Sequence, residues 1–185
     1  MIRLETERLV LRKPELGDSD AYAELWGDPE VVRFLGGKTV PPAEVPGAIE
    51  RMLGQWERHG VGLFSVLRKE DGQLVGRVGY LLWNTERWAN AMHEELDGEL
   101  ELEIGWTIIR KFWNQGYATE AALVCRDHAF AELGRDRVIS LIARDNVASI
   151  RVAEKIGESL EQRDIRGEAF RLPVDLYSVG NRPAR

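Results

Sequence analysis

Residues 99 to 108 read ELELEIGWTI, and their strict alternation demands an extended strand. Glu99, Glu101 and Glu103 fall on one face, Leu100, Leu102 and Ile104 on the other. The strand is expected to end near Ile109, and FWNQGYATEA, residues 112 to 121, follows it. Lone Gly116 stands there among residues that open a helix, predicted from about Tyr117 to Leu133 with Gly134 as its stop. A strand, a short turn and a helix in that order are the feature around which the chain must fold.

The other elements follow from the same rules. RLVLRK, residues 8 to 13, reads as the first strand. Asp18 or Ser19 caps a helix through Trp26, which Asp28-Pro29 breaks. A second helix after Pro41 and Pro42 runs to about His59, with Ile49, Met52, Leu53 and Trp56 as its apolar stripe and Gly60 as its stop. GLFSVLRKEDGQLVGRVGYLLW, residues 62 to 83, reads as a hairpin turning at Glu70-Asp71-Gly72. Residues 84 to 98 form a charged excursion between strands. RVISLIA, residues 137 to 143, is a β-branched strand. A helix from about Asn146 to Ile156 stops at Gly157, and strands near 160 to 166 and 170 to 179 close the chain. Strands that alternate with helices in the second half, after a hairpin, indicate an α/β or α+β layer with a mixed sheet.

The 185 residues suit one core, so a single domain over 1–185 is expected. A net charge of -6 argues against a general nucleic-acid binder and leaves cationic substrates open. The charged start MIRLETERLVLR lacks the apolar run of a signal peptide, and no stretch reaches the ~20 apolar residues of a membrane span, so a cytoplasmic location is expected. A single cysteine, Cys125, excludes an internal disulfide. His59, His93 and His128 are scattered without metal-ligand spacing, and no metal is expected.

The turn carries the chemistry. A helix that opens at Gly116-Tyr117-Ala118-Thr119 presents several unpaired N–H groups, and its dipole adds roughly 0.3 to 1 kcal/mol per well-placed negative charge. Gly116 lets a phosphate approach the backbone without a Cβ in the way, Ala118 keeps the next contact small, and Arg110 and Lys111 are near enough in sequence to add charge. The plain alternative is a loop glycine before a helix. GGKT at 36 to 39 imitates the end of a Walker loop, but Val32 stands where its first glycine belongs.

EIGWTIIRKFWNQGYATEAALVCRDHAFAELG followed by RVISLIARDNVASIRVAEKIG resembles the GCN5-related N-acetyltransferase superfamily, and in particular its branch that acetylates the amino termini of ribosomal proteins. The likeness extends to the ETERLVLR opening and DPEVVRFLGG. It implies an α+β fold of α/β/α layers: a mixed, mostly antiparallel sheet of about six or seven strands flanked by about four helices. It also implies acetyl-coenzyme A as co-substrate, with its pyrophosphate on the backbone amides of Gln115, Gly116, Tyr117, Ala118 and Thr119. The pantetheine arm would run beside Ile104 to Thr107, Trp106 among them, with Asn146 and Ser149 near it or the thiol. Trp113 departs from the Arg or Gln usual in the family before the glycine, which leaves the phosphate turn intact. Glu158 replaces an aromatic after Gly157 and is expected to loosen the final hairpin.

Attack on a thioester requires a neutral amine. A lysine-like amine costs about 4–5 kcal/mol to deprotonate at pH 7 and an α-amine only about 1 kcal/mol, so an α-amine makes small demands on a base. Glu103, one residue before Ile104-Gly105, is the first candidate for that base, through a water; the alternative is that Glu99, Glu101 and Glu103 form a solvated face. Even then the three carboxylates favour a cationic acceptor. The resemblance implies an oxyanion contact from a backbone N–H of this strand. Ser149 is either catalytic or an ordinary helix serine after an Asn146 cap. Tyr177 reads as a sheet or core tyrosine before it reads as an acid, Cys125 as a small core residue, and His128 has no visible partner. Trp83 and Trp88 either line the acceptor site or pack. The partners expected are acetyl-coenzyme A and an amine, a protein amino terminus or a small molecule, with a homodimer compatible and neither nucleic acid nor membrane. A non-catalytic acyl-coenzyme A sensor and a module for another phosphate ligand are the competing classes.

Overall fold

Nine strands form one sheet in the computed structural model, which describes residues 2–167 and 169–181. In chain order they are β1 (Arg3–Glu5), β2 (Leu9–Arg12), β3 (Leu63–Arg68), β4 (Leu74–Asn84), β5 (Ala89–Asn90), β6 (Glu101–Ile108), β7 (Arg137–Ala143), β8 (Ser159–Ile165) and β9 (Val174–Gly180). Their spatial order is β1-β2-β3-β4-β6-β7-β9-β8, with β5 also paired to β4. Every pairing is antiparallel except β6 with β7. The helices are α1 (Ser19–Gly27), the single turn α2 (Pro29–Val32), α3 (Val45–His59), α4 (Tyr117–Ala131) and α5 (Val147–Lys155). The class is the expected α+β, with more strands than the six or seven foreseen.

The added strands come from pairings that no local pattern announces. The expected first strand is present as β2, and β1 is added before it because Thr6 turns the chain: Leu9 N–H donates to Thr6 Oγ1 at 2.9 Å and Thr6 N–H to Leu9 O at 3.0 Å, leaving β1 and β2 antiparallel. The excursion folds back at Ala89–Asn90 to pair with the end of β4. At the other end β9 starts four residues later than expected, after Pro173, which has no N–H for a ladder.

Two side chains fix the layers. Asp18 makes no capping bond to α1; it accepts from Glu15 N–H at 3.0 Å, and Arg12 grips it through Nη1 at 2.9 Å and Nη2 at 2.6 Å. Ser65 Oγ donates to Asp18 at 2.7 Å, and Tyr22 O–H donates to Ser65 Oγ, which seats α1 on the sheet face that carries Ser65 and Arg77. On the opposite face Tyr80 O–H donates to the Cys125 carbonyl of α4 at 2.7 Å, with His128 Nδ1 2.8 Å from the same hydroxyl. His128 therefore has the partner that the sequence did not reveal. Cys125 is wholly buried, its thiol pKa pushed up by burial, and packs as the small core residue expected. In α3, Ile49, Met52 and Trp56 are buried as foreseen, and Gly60 ends the helix at φ 70°. No helix among the described residues is long and apolar enough to cross a membrane.

Gly76 sets how closely β4 and β6 approach. A Cβ there would overlap the Thr107 carbonyl oxygen and sit 2.8 Å from Ile108 Cα, both backbone atoms that cannot step aside. Gly76→Ala is therefore expected to destabilise the fold by about 1–3 kcal/mol, read as a lower Tm; an unchanged Tm would mean that the strands have slack at this point.

Candidate active site

Strand β6 pairs with β4 from Glu101 to Ile108, but it pairs with the parallel β7 only at Glu103–Ile139. Side chains replace the ladder beyond that point. Ser140 Oγ lies 2.9 Å from Ile104 O, and Leu141 N–H donates to Glu103 Oε1 at 3.3 Å. The strands then splay, and backbone groups of β6 beyond Ile104 that face β7 have no strand to bond. A cavity of about 120 Å³ opens in this gap, with Glu103, Ile104, Trp106, Ser140, Asn146 and Ser149 in its lining.

Glu103 is not on a solvated face. It is 6% exposed, and Trp83 Nε1 donates to its Oε2 at 2.5 Å. Burial pushes its pKa up to about 7, against smaller opposing effects of the Trp83 and Leu141 donors and of Arg77. Register explains the burial: Glu103 lies opposite Leu81 of β4, and Trp83, two residues on, reaches over it. Trp83 and Trp88 pack with Phe170 at ring separations of 5.2 and 5.9 Å, so Trp83 serves the site through Glu103. Glu101 is instead paired with Arg137 at 3.3 Å, and Glu99 is exposed, so the expected cluster of three carboxylates reduces to one at the cavity.

Glu158 corrects another expectation. It does not loosen the final hairpin; it is 3% exposed, with Oε1 3.0 Å from Ser140 Oγ. Burial pushes its pKa up to about 8, and the negative charge of Glu103 adds to that. Protonated, it donates to Ser140 Oγ while the Ser140 hydroxyl donates to Ile104 O. Because folding raises this pKa from about 4.5, the stabilising effect of its proton is complete below that value and is lost as pH rises through about 8. The cost at higher pH is on the order of 4 kcal/mol. Glu158→Gln should therefore flatten the larger part of the fall in Tm between pH 5 and pH 9; a fall as steep as that of the parent would place the responsible group elsewhere.

The start of α4 has the geometry of an anion cradle. Gly116 adopts φ 83°, no side chain caps the helix, and the amides of Tyr117, Ala118 and Thr119 have no partner one turn back. Arg110 and Lys111 are turned away toward Asp28 at 3.8 Å and Glu24 at 2.9 Å, contrary to expectation. The cation at the turn is Arg8: its Nη1 donates to Gln115 O at 3.0 Å, its Nε to Glu120 at 2.7 Å, and it lies over the Tyr117 ring. Trp113 Nε1 donates to Ile108 O at 2.7 Å and stiffens the approach to the turn.

Helix α5 supplies the opposite wall. Asn146 is its cap, with Oδ1 accepting from Ser149 N–H at 3.2 Å, as foreseen. Ser149 Oγ accepts from Trp106 Nε1 at 3.2 Å, and because an indole nitrogen only donates, the serine proton is free to point elsewhere. Tyr177 lies with Ile142 and Ala153 in a small buried cluster and reads as core.

The structure thus brings Glu103, Ile104, Trp106, Asn146 and Ser149 to one cavity, while Gln115 to Thr119 form the turn after β6. Sequence reasoning missed Arg77, Ser140 and Arg8, and named Trp83 without its contact with Glu103. Their roles depend on cross-strand register and on a contact between β2 and α4, for which the local pattern carries no signal.

A family model described as an acetyltransferase (GNAT) domain matches residues 8–158. An uncharacterized N-acetyltransferase, p20, from Bacillus licheniformis is 29% identical over 182 residues, 96% of this chain and 94% of its own length. The crystal structure of an acetyltransferase from Agrobacterium tumefaciens superposes with a TM-score of 0.77 at 29% identity, over 98% of this chain and 95% of that one. RimL, described as a ribosomal L7/L12 alpha-N-protein acetyltransferase in complex with coenzyme A, superposes at 0.73 over 97% and 98% of the two chains; at 14% identity that likeness speaks for the fold alone. With the family match running from β2 to the start of β8, through the splayed strands and the glycine turn, the chain belongs to the GCN5-related N-acetyltransferase superfamily and is an N-acetyltransferase.

Proposed function

We propose that the chain acts as one domain that transfers an acetyl group from acetyl-coenzyme A to a primary amine, and that the amine is a protein or peptide amino terminus. The observation that carries this reading is the gap between β6 and β7, lined by the buried carboxylate of Glu103, on the strand that leads through a short turn into the anion cradle at the start of α4. Amides of residues 115 to 119 would hold the pyrophosphate, and Gly116 leaves room for it, since among the described residues the one atom near a Cβ there would be Arg8 Nη2 at 3.4 Å. Ile104, Trp106 and Asn146 would line the pantetheine channel, the unpaired backbone of β6 offering hydrogen bonds to its amides.

In the transfer, the amine nitrogen bonds to the thioester carbonyl carbon as the carbon–sulfur bond breaks. Glu103 takes the amine proton through a water. Its pKa near 7 suits that task at neutral pH: it is substantially ionised, yet basic enough to hold the proton. A backbone N–H of β6 steadies the oxyanion. Ser149, its hydroxyl oriented by Trp106, donates toward the leaving sulfur. A small amine is the second reading, favoured by the modest cavity of about 120 Å³.

The test is release of free thiol from acetyl-coenzyme A against peptides with free amino termini and against small amines. Release that depends on a peptide supports the first reading and release with small amines alone the second. Tight binding of acetyl-coenzyme A with no release from any acceptor would point to an acyl-coenzyme A sensor.

A further inference from the structure

Two charged residues line the cavity: Glu103, and Arg77 on β4. The role of Glu103 is given above; Arg77 has none in acetyl transfer. Its guanidinium lies 5.3 Å from the centre of the Trp26 ring, and among the described residues it makes neither an ion pair nor a hydrogen bond; the carboxyl of Glu103 acts on it only at a distance. Burial lowers its pKa, which marks the strain of a cation without an anion. The other buried carboxylate on this face, Asp18, is held by Arg12 and Ser65. A partly buried guanidinium that lines a cavity, with an aromatic face beside it and no anion among the described residues, is placed to meet a ligand's countercharge.

The floor between the two charges is bare. Arg77 lies opposite Thr107 and Leu81 opposite Glu103, and between them Gly79 faces Gly105 on the same side of the sheet. A Cβ at Gly105 would meet nothing closer than Leu81 Cδ1 at 3.4 Å, so the space above it is open. The Cα atoms of residues 103 and 107 are roughly 13 Å apart along the strand, a span that the two long side chains shorten at their tips.

We propose that Arg77 is the anion-binding half of the acceptor site, and that the acceptor carries a carboxylate several bonds from the amine it presents to Glu103. The inference rests on the reading of this cavity as the place of amine acetylation and names the class of amine. An acidic side chain in the first residues of a peptide and a free amino acid with a distant carboxylate share this chemistry. Approach from the face of α1 places the carboxylate against Arg77 and Trp26 while the amine lies over Gly105, pointing into the gap.

The experiment compares kcat and KM for paired acceptors: peptides with Asp or Glu in the first two positions against their Asn or Gln isosteres, and a small amino acid with a distant carboxylate against its amide. Parent protein, Arg77→Gln and Arg77→Lys are each measured. The parent is expected to prefer the carboxylate of each effective pair by about tenfold in kcat/KM, mainly through KM, and Arg77→Gln to abolish that preference while Arg77→Lys keeps part of it. Preference in the peptide pair alone assigns the peptide source, and preference in the small pair alone the free amino acid. Equal preference in parent and Arg77→Gln, or none in the parent, overturns the proposal. If Arg77→Gln does not fold, the parent's discrimination and Arg77→Lys decide. Equilibrium binding of the same acceptor pairs is measured alongside: discrimination without any thiol release would leave the anion site standing while acetyl transfer fails, and thiol release without discrimination would do the reverse.

Discussion

Glu103→Gln is expected to lower kcat/KM by about 10²-fold or more while the affinity for acetyl-coenzyme A stays that of the parent. The substitution keeps the shape beside Trp83 and Leu141 but removes the site that takes the proton. The pH profile separates this from a loss of packing. A base must be deprotonated to work, so in the parent kcat/KM rises with pH through about 7, the value to which burial pushes Glu103. That rise should vanish in Glu103→Gln, leaving only the rise contributed by an α-amine acceptor, near 7.8. Stability moves oppositely. Folding raises this carboxyl from about 4.5, so its contribution is complete at low pH and fades as pH passes about 7, and Glu103→Gln should lose less stability over that window. Turnover and pH profile both unchanged would remove Glu103 as the base.

The second large effect is at the turn. Gly116→Val is expected to raise the Kd for acetyl-coenzyme A by about 10- to 100-fold, equivalent to roughly 1.4 to 2.7 kcal/mol. The φ of 83° at this position suits glycine, and a β-branched residue there costs about 1–3 kcal/mol of strain. Relief of that strain moves the first amides of α4 away from the direction in which they meet the phosphates, and the added methyl groups occupy the approach. Gly134→Val is the control: φ there is 62° with nothing near its Cβ, and it follows α4 at the far end. Both variants should lose stability, but only Gly116→Val should lose affinity. Equal affinity in the two would place the phosphates elsewhere.

How much of this could be read in the sequence follows from the range of the forces involved. Period and capping are local, so the alternation of β6, the extent of β7, the Gly60 stop and the Asn146 cap were legible and appear as expected. Alternation also told that Glu103 shares a face with Glu101, but not that the face is covered at one residue and open at the next. That depends on Leu81 arriving opposite it and Trp83 reaching over it, both 20 or more positions earlier in the chain. Arg77 stands in a strand-like run, and nothing beside it in sequence shows that Trp26 is its neighbour and that no carboxylate is. Glu158 follows Gly157 as a simple departure from a hydrophobic habit; its contact with Ser140 requires β7 and β8 to be placed around β9 first. Edge pairings such as β1 with β2 and β5 with β4 are likewise set by turns and partners rather than by the pattern of either strand.

The most direct measurement is a crystal structure with coenzyme A bound. The pyrophosphate is expected on the backbone amides of residues 115 to 119, the pantetheine arm in the gap between β6 and β7, and the sulfur beside Ser149 on the path to Glu103. Coenzyme A seated elsewhere, for instance in the groove between α3 and residues 92 to 95, with the gap between the two strands closed, would contradict this placement.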